Sequence, residues 1–123
     1  MTLELTFLPT RMTMCQLPDC GGLDLAVPMT FLANTGKEIS LACPSDAVPA
    51  NAAKSDPGWI AFTIEEQLDF SLVGILAGIS AALAGAGISI IALSTFDTDY
   101  VLIREDQSDA AKNALAQAGY RIK

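Results

Sequence analysis

The chain has 123 residues, 51% of them hydrophobic, with 14 acids against 7 bases, a net charge of −7 and no histidine. That length suits one domain or two small halves, and the apolar share can bury a core. The bases (Arg11, Lys37, Lys54, Arg104, Lys112, Arg121, Lys123) form no stripe to neutralise phosphates, which argues against nucleic acid, and the acidity argues against docking on anionic lipid.

The lack of histidine removes Ser-His-Asp and Cys-His nucleophile pairs and imidazole metal ligands together. Cys15, Cys20 and Cys43 are odd in number, and C-x4-C with no other soft ligand nearby falls short of a four-ligand zinc site. Reduced thiols in a cytoplasmic protein are expected, with no metal and no cofactor. MTLELTFLPTR carries Glu4 and no basic stretch before an apolar run, so it does not read as a secretory signal.

In chain order, residues 2 to 8 alternate apolar and polar as a half-buried strand does, and residues 12 to 17 read as a second strand. PDCGGLDLAVP (18–28) is a loop. Residues 29 to 43 read as a hairpin turning at Thr35-Gly36. The stretch 44–58 has three prolines and reads as a joining loop with room for one helical turn. Residues 59 to 67 form a strand whose faces are Trp59, Ala61, Thr63 and Ile60, Phe62, Ile64. Ser71 can cap a helix carrying Leu72, Ile75, Leu76, Ile79 and Leu83 on one stripe, stopped at Ala84-Gly85-Ala86-Gly87. Residues 88 to 94 and 100 to 105 are strands joined at Asp97-Thr98-Asp99. Residues 106 to 120 are a helix, capped by Asp106 or Ser108, with Ala110, Ala111, Ala114, Leu115 and Ala118 as its apolar face and Gly119 as its stop. YRIK (120–123) is a last short strand.

The run FSLVGILAGISAALAGAGISIIALSTF (70–96) holds no charge. A membrane span needs about 20 helical residues, and Gly85 and Gly87 cut this run after about 15. Gly74 and Gly78 form G-x-x-x-G, a dimer seam in lipid but here a place where the helix packs closely on its own sheet or on another protomer. The missing charge is expected from burial in a sheet-and-helix core, so no membrane partner is expected.

The order β-α-β-β-α-β in the second half makes an α+β, ferredoxin-like unit with an antiparallel sheet. The first half supplies similar strands without a convincing first helix. Its T-G-K-E-I-S-L-A-C-P-S-D-A faintly matches T-F-D-T-D-Y-V-L-I-R-E-D-Q-S-D-A as an internal repeat. Two halves are expected, residues 1–58 and 59–123. Their small size and open sheet edges predict a homodimer.

The segment S-L-V-G-I-L-x-x-I-S-x-x-L-A-x-A-G-I-S-I (71–90) resembles the ACT domain, a small-molecule regulatory module of amino-acid metabolism. Many ACT domains carry Asp or Asn, often with Pro before the Gly. Ser71 and Val73 stand here instead and point to a subgroup. D-F-S-L-V-G-I-L (69–76) with S-T-F-D-T-D-Y-V-L-I (94–103) resembles stand-alone bacterial double-ACT proteins related to the CASTOR arginine sensors. T-G-K-E-I-S-L-A-C-P (35–44) resembles the T-x-x-E-x-S signature of that group.

The resemblance implies an ACT fold in two ACT-like halves, a free amino acid or similar small metabolite as ligand, and no catalysis. Carried over residue by residue, the ligand contacts are Ser71, Leu72, Gly74, Thr95, Phe96 and Asp99. Elementary chemistry agrees: helix-opening amides suit a carboxylate, Gly74 admits close approach, Asp99 suits an amino or guanidinium group, and Thr95 and Phe96 add a hydrogen bond and an apolar wall. Bland readings stand beside these. Ser71 is also simply an N-cap, Asp97 and Asp99 are also turn residues, Phe96 is also a core residue, and Glu38, Glu65 and Glu66 also suit solvated strand positions. A structural module that joins a partner protein through a sheet edge or helix face is the alternative function. A catalytic fragment using Cys15, Cys20 or Asp69 is a remote third.

Overall fold

The computed structural model describes residues 3–64 and 73–123. Seven strands and two helices follow in the order β1 (Glu4–Leu17), β2 (Phe31–Asn34), β3 (Ile39–Pro44), β4 (Lys54–Ile64), α1 (Ile75–Gly85), β5 (Ile91–Ser94), β6 (Asp99–Arg104), α2 (Ser108–Gln117) and β7 (Arg121–Ile122). From β4 onward this is the expected ferredoxin-like β-α-β-β-α-β, an α+β fold. Two compact units divide the chain: Met1–Pro9 with Ile60–Lys123, and Thr10–Trp59.

The first of these units holds both helices. Its core gathers Leu5, Phe62, Ile64, Ile79, Leu83, Val101, Ile103, Ala111 and Leu115 from strands and helices. Phe7 stacks on Phe62 with ring centroids 4.9 Å apart, and the Lys112 ammonium lies 5.0 Å from the Phe7 ring centre. β5 pairs β6 antiparallel, whereas β7 pairs the start of β1 in parallel through Glu4 and Leu5.

Helix α1 buries Ile79 and Leu83, and Ile75 and Leu76 pack beside them, so the expected stripe is the core face. The helix starts later than the sequence suggests. The residue before its first turn is Gly74, at φ 83° with no side-chain cap. Ser71, Leu72 and the strand residues expected at 65–67 lie outside the described residues. At the other end the Gly87 and Ile88 amides donate to the Ala84 and Leu83 carbonyls, with Gly87 at φ 73°. This is a Schellman stop, closed by apolar contact within the core that holds both Leu83 and Ile88. Helix α2 stops in the same way, the Gly119 and Tyr120 amides donating to Ala116 and Leu115.

Burial does not account for all of the missing charge. Ala77, Gly78, Ala81, Ala84 and Gly85 of α1 are exposed, so its outer face is uncharged because it is made of alanine and glycine. A Cβ on Gly78 would lie 2.7 Å from the Tyr120 hydroxyl, so the second glycine of G-x-x-x-G makes room for a side chain of its own unit. No helix among the described residues is long and apolar enough to cross a membrane. On α2 the buried residues are Ala111 and Leu115, while Ala110 and Ala118 are exposed. The residue preceding α2 is Gln107, without a side-chain cap, in place of Asp106 or Ser108.

In the unit Thr10–Trp59, β1 pairs β3 antiparallel with Cys15 opposite Leu41 and Gln16 opposite Ser40, and β2 pairs β3. Cys15, Leu17, Leu41 and Cys43 form the core, packed with Leu23, Ile39, Val48 and Ala52. The buried Thr13 hydroxyl shares a hydrogen bond of 2.8 Å with the Ser45 hydroxyl. Residues 18–30 form turns and no helix.

Two strand boundaries differ from expectation. β1 is continuous where two strands were expected, because exposed Pro9 falls between the residues that pair with β7 and those that pair with β3, and its missing N–H breaks neither ladder. β4 starts at Lys54, not at Trp59. Its first five residues are exposed and read as loop by composition, and Gly58 takes φ 88° inside the strand.

The internal repeat has a fixed frame of sixty residues. Phe31 faces Ala42 and Asn34 faces Ile39, as Ile91 faces Leu102 and Ser94 faces Asp99. A 3-10 turn follows each hairpin, at Ser45–Ala47 and Glu105–Gln107. The S-D-A shared by residues 45–47 and 108–110 is therefore out of frame. The first opens a turn and the second opens α2.

Candidate functional site

Gly74 and Val73 are exposed at the opening of α1, Val73 at 90%. The left-handed Gly74 has nothing within 4 Å of where a Cβ would stand, and its carbonyl accepts from the Gly78 amide at 2.9 Å. This leaves open space on its side-chain position, as a backbone approached by a ligand requires.

The hairpin β5–β6 brings Thr95, Phe96 and Asp99 together. The Thr95 amide and hydroxyl donate to the Thr98 carbonyl at 2.8 and 3.0 Å, and the Thr98 amide donates to the Thr95 hydroxyl at 3.2 Å. Ser94 donates to the Asp99 carboxylate at 2.6 Å, and Thr63 donates to the Asp99 carbonyl at 3.0 Å. The Thr98 hydroxyl donates to the Ile64 carbonyl at 3.4 Å, which ties the turn to the end of β4. Phe96 is 80% exposed, so it is not a core residue. Thr95 thus serves the turn, Asp99 is held with one oxygen engaged, and Phe96 lies outside the core. Ser71 and Leu72 fall outside the described residues.

The hairpin β2–β3 repeats the turn. The Thr35 amide donates to the Glu38 carbonyl at 3.1 Å, and the Glu38 and Lys37 amides donate to the Thr35 hydroxyl, each at 3.2 Å. The acid is displaced by one residue. Ile39 stands where the frame puts Asp99, and Glu38 stands where it puts Thr98. Ser40 donates to the Glu38 carboxylate at 2.6 Å. Beside this turn lies a hollow of about 390 Å³, walled by Gln16, Leu17, Pro18, Gly36, Lys37, Glu38, Ile39 and Ala53. A neighbouring one of about 340 Å³ shares Gln16 and Glu38 and adds Met14, Ser40, Lys54 and Asp56. The motif T-x-x-E-x-S marks this turn in the sequence, whereas nothing in the sequence places Gln16 or Lys54 beside it. The sixty-residue frame aligns this turn with Thr95–Thr98.

The two buried cysteines offer no nucleophile. Cys15 and Cys43 are buried and Cys20 is exposed, all three as free thiols. Burial pushes Cys15 up, and it pushes Cys43 up to about 11, with the neighbouring Cys15 adding to the shift. Both buried thiols stay protonated at neutral pH. Among the described residues no cluster of His, Cys, Asp or Glu could hold a metal.

A family model described as ACT domain matches residues 54–117, the stretch that holds the α1 opening and the Thr95–Asp99 hairpin. No curated protein sequence matches the chain. Among solved structures, a protein from Agrobacterium tumefaciens is 25% identical, with 100% of this chain and 93% of that chain covered and a TM-score of 0.87. The ligand-free regulatory subunit of aspartate kinase from Thermus thermophilus is 14% identical over 93% of this chain and 95% of that one, at TM-score 0.67. A structure of aspartokinase alpha and beta subunits is 19% identical over 96% and 98%, at TM-score 0.64. The last two are likenesses of fold.

Proposed function

The chain belongs to the ACT domain family, and from that membership we propose that it is a regulatory protein that binds a free amino acid or similar small metabolite and catalyses no reaction. The family match over residues 54–117 carries this reading. The ligand contacts proposed are Ser71, Leu72, Gly74, Thr95, Phe96 and Asp99. Helix-opening amides would take the carboxylate and Asp99 the amino group. The hold of Ser94 on Asp99 supports a carboxylate kept in one orientation, and the open space at Gly74 supports close backbone approach. The sixty-residue repeat of the hairpin supports a double-ACT protein of the CASTOR-related kind. A homodimer in the cytoplasm completes the proposal.

Thermal shift against the common amino acids tests it. A ligand at 100 times its dissociation constant adds about 2.7 kcal/mol to stability. Asp99→Ala should abolish that shift while the unliganded protein melts nearly as before. No shift with any amino acid would sink the ligand proposal for those compounds. A loss above about 3 kcal/mol on Asp99→Ala would instead mark a structural residue.

The second reading, a structural module that joins a partner protein, is favoured by one observation. Thr95 and Asp99 both have partners inside their own hairpin. Under that reading Asp99→Ala loosens the hairpin and no small molecule binds.

A further inference from the structure

We propose that the free edge of β2 is a docking site for an extended segment of a partner protein. The segment adds to the sheet of the unit Thr10–Trp59 as an antiparallel strand, with an apolar residue opposite Leu32. The inference is independent of the site proposed at α1, since every residue it uses belongs to the other unit.

Within this unit the strand order is β2-β3-β1-β4, so β2 and the start of β4 are its outer strands. The two are built differently. Lys54 to Gly58 are exposed and include Lys54, Asp56 and Pro57, with Gly58 at φ 88°. Charge, proline and a left-handed glycine are the features that discourage a further strand. β2 is Phe31-Leu32-Ala33-Asn34, without a charge, a proline or a glycine. The contrast marks β2 as the side left open to pairing, and its four residues set the length of the segment that can pair.

The ladder specifies what fits there. The Thr35 amide donates to the Glu38 carbonyl at 3.1 Å, which sets the phase of the β2–β3 pairs. Ala33–Ser40 is then a hydrogen-bonded pair, and Leu32–Leu41 and Asn34–Ile39 are not. The amides and carbonyls of Leu32 and Asn34 therefore point away from β3, and among the described residues no hydrogen bond reaches them. A peptide backbone supplies donors and acceptors at that same spacing. The Leu32 side chain lies on the side of Leu41, which is 1% exposed, yet Leu32 itself is 38% exposed. An apolar residue of the added strand, opposite Leu32, covers it, and a charge there would be desolvated without a partner. Two residues earlier in that strand a hydrogen-bond acceptor meets Asn34, whose Oδ1 already accepts from the Gly36 amide at 3.1 Å and whose Nδ2 is left to donate. The partner segment thus reads acceptor, any residue, apolar residue.

The test is amide NMR of the full chain titrated with the peptide acetyl-Lys-Thr-Val-Leu-Thr-Lys-amide. A second peptide carries N-methyl-leucine in place of leucine and so lacks the N–H that faces Leu32. The first peptide should move the amide signals of Leu32, Ala33 and Asn34, and the second should bind about tenfold more weakly or worse. Leu32→Lys should weaken the first peptide by about tenfold or more, as an edge charge does. Leu32→Pro should do the same, since it removes an outward N–H and breaks no bond to β3, and unchanged Cys15 and Leu41 signals show that the core is kept. The proposal is overturned if the peptide moves none of these signals or if the N-methyl peptide binds within about twofold of the first. It is also overturned if Leu32→Lys lowers the mass of the chain in sedimentation, which gives the edge to a second copy.

Discussion

Cys43 is 1% exposed, and its thiol donates to Cys15 within the same small core. Burial raises its pKa from 9.0 to about 11. In the unfolded chain the thiol ionises from about pH 9 upward, while in the folded chain it holds its proton until about 11. The unfolded state therefore loses its proton first. The stabilising contribution is whole below pH 9 and is lost as pH rises toward 11. Melting temperature measured across that window should fall for the wild type, and should fall less steeply for Cys43→Ala. Parallel slopes for the two would refute the assignment. The sequence supplied three cysteines and an argument against zinc. It could not supply burial, which is what removes Cys15 and Cys43 from chemistry. Phe96 shows the same limit from the other side, because its composition suggests core while its place at a hairpin tip leaves it 80% exposed.

At the scale of elements, the termini of α1 show where local rules suffice. Gly87 was legible as a stop because a left-handed residue is needed there, and it adopts φ 73°. Gly85 lies inside the last helical turn with nothing within 4 Å of a Cβ. Opposite effects follow from one kind of substitution. Gly85→Ala should stabilise by up to about 1 kcal/mol through helix propensity. Gly87→Ala should destabilise by about 1–2 kcal/mol, the cost of a left-handed non-glycine residue. Urea denaturation of the two variants checks the signs, and equal signs would contradict the Schellman stop. At the N-terminal end Gly74 takes the position before the first turn by its backbone angle, while Ser71, which fits an N-cap by type, lies outside the described residues. The start of β4 was misread because K-S-D-P-G has loop composition, and strand pairing overrode it.

For the whole molecule, the outer face of α1 offers Ala77, Gly78, Ala81 and Ala84 to solvent without a charge, and Val73 is exposed nearby. We propose this face as the surface of the homodimer. Sedimentation should report twice the 12.9 kDa chain mass, and Ala81→Glu should shift it to the monomer by burying a charge in the contact. A monomer at every concentration refutes the dimer, and an unchanged mass for Ala81→Glu moves it to another surface.

By itself the sequence determined the order of elements from residue 59 onward, the ferredoxin-like class, the helical stripe of Ile75, Leu76, Ile79 and Leu83, and the family resemblance in 71–103. These rest on periodicity, glycine stops and local motifs, which short-range sterics and burial of one face enforce. Only the tertiary structure decided the sixty-residue frame of the repeat, the parallel pairing of β7 with β1, and the hollow beside Glu38. Those depend on which distant backbone meets which, a matter of long-range pairing. A one-residue shift there moves the acid from the face of Asp99 to the face of Glu38.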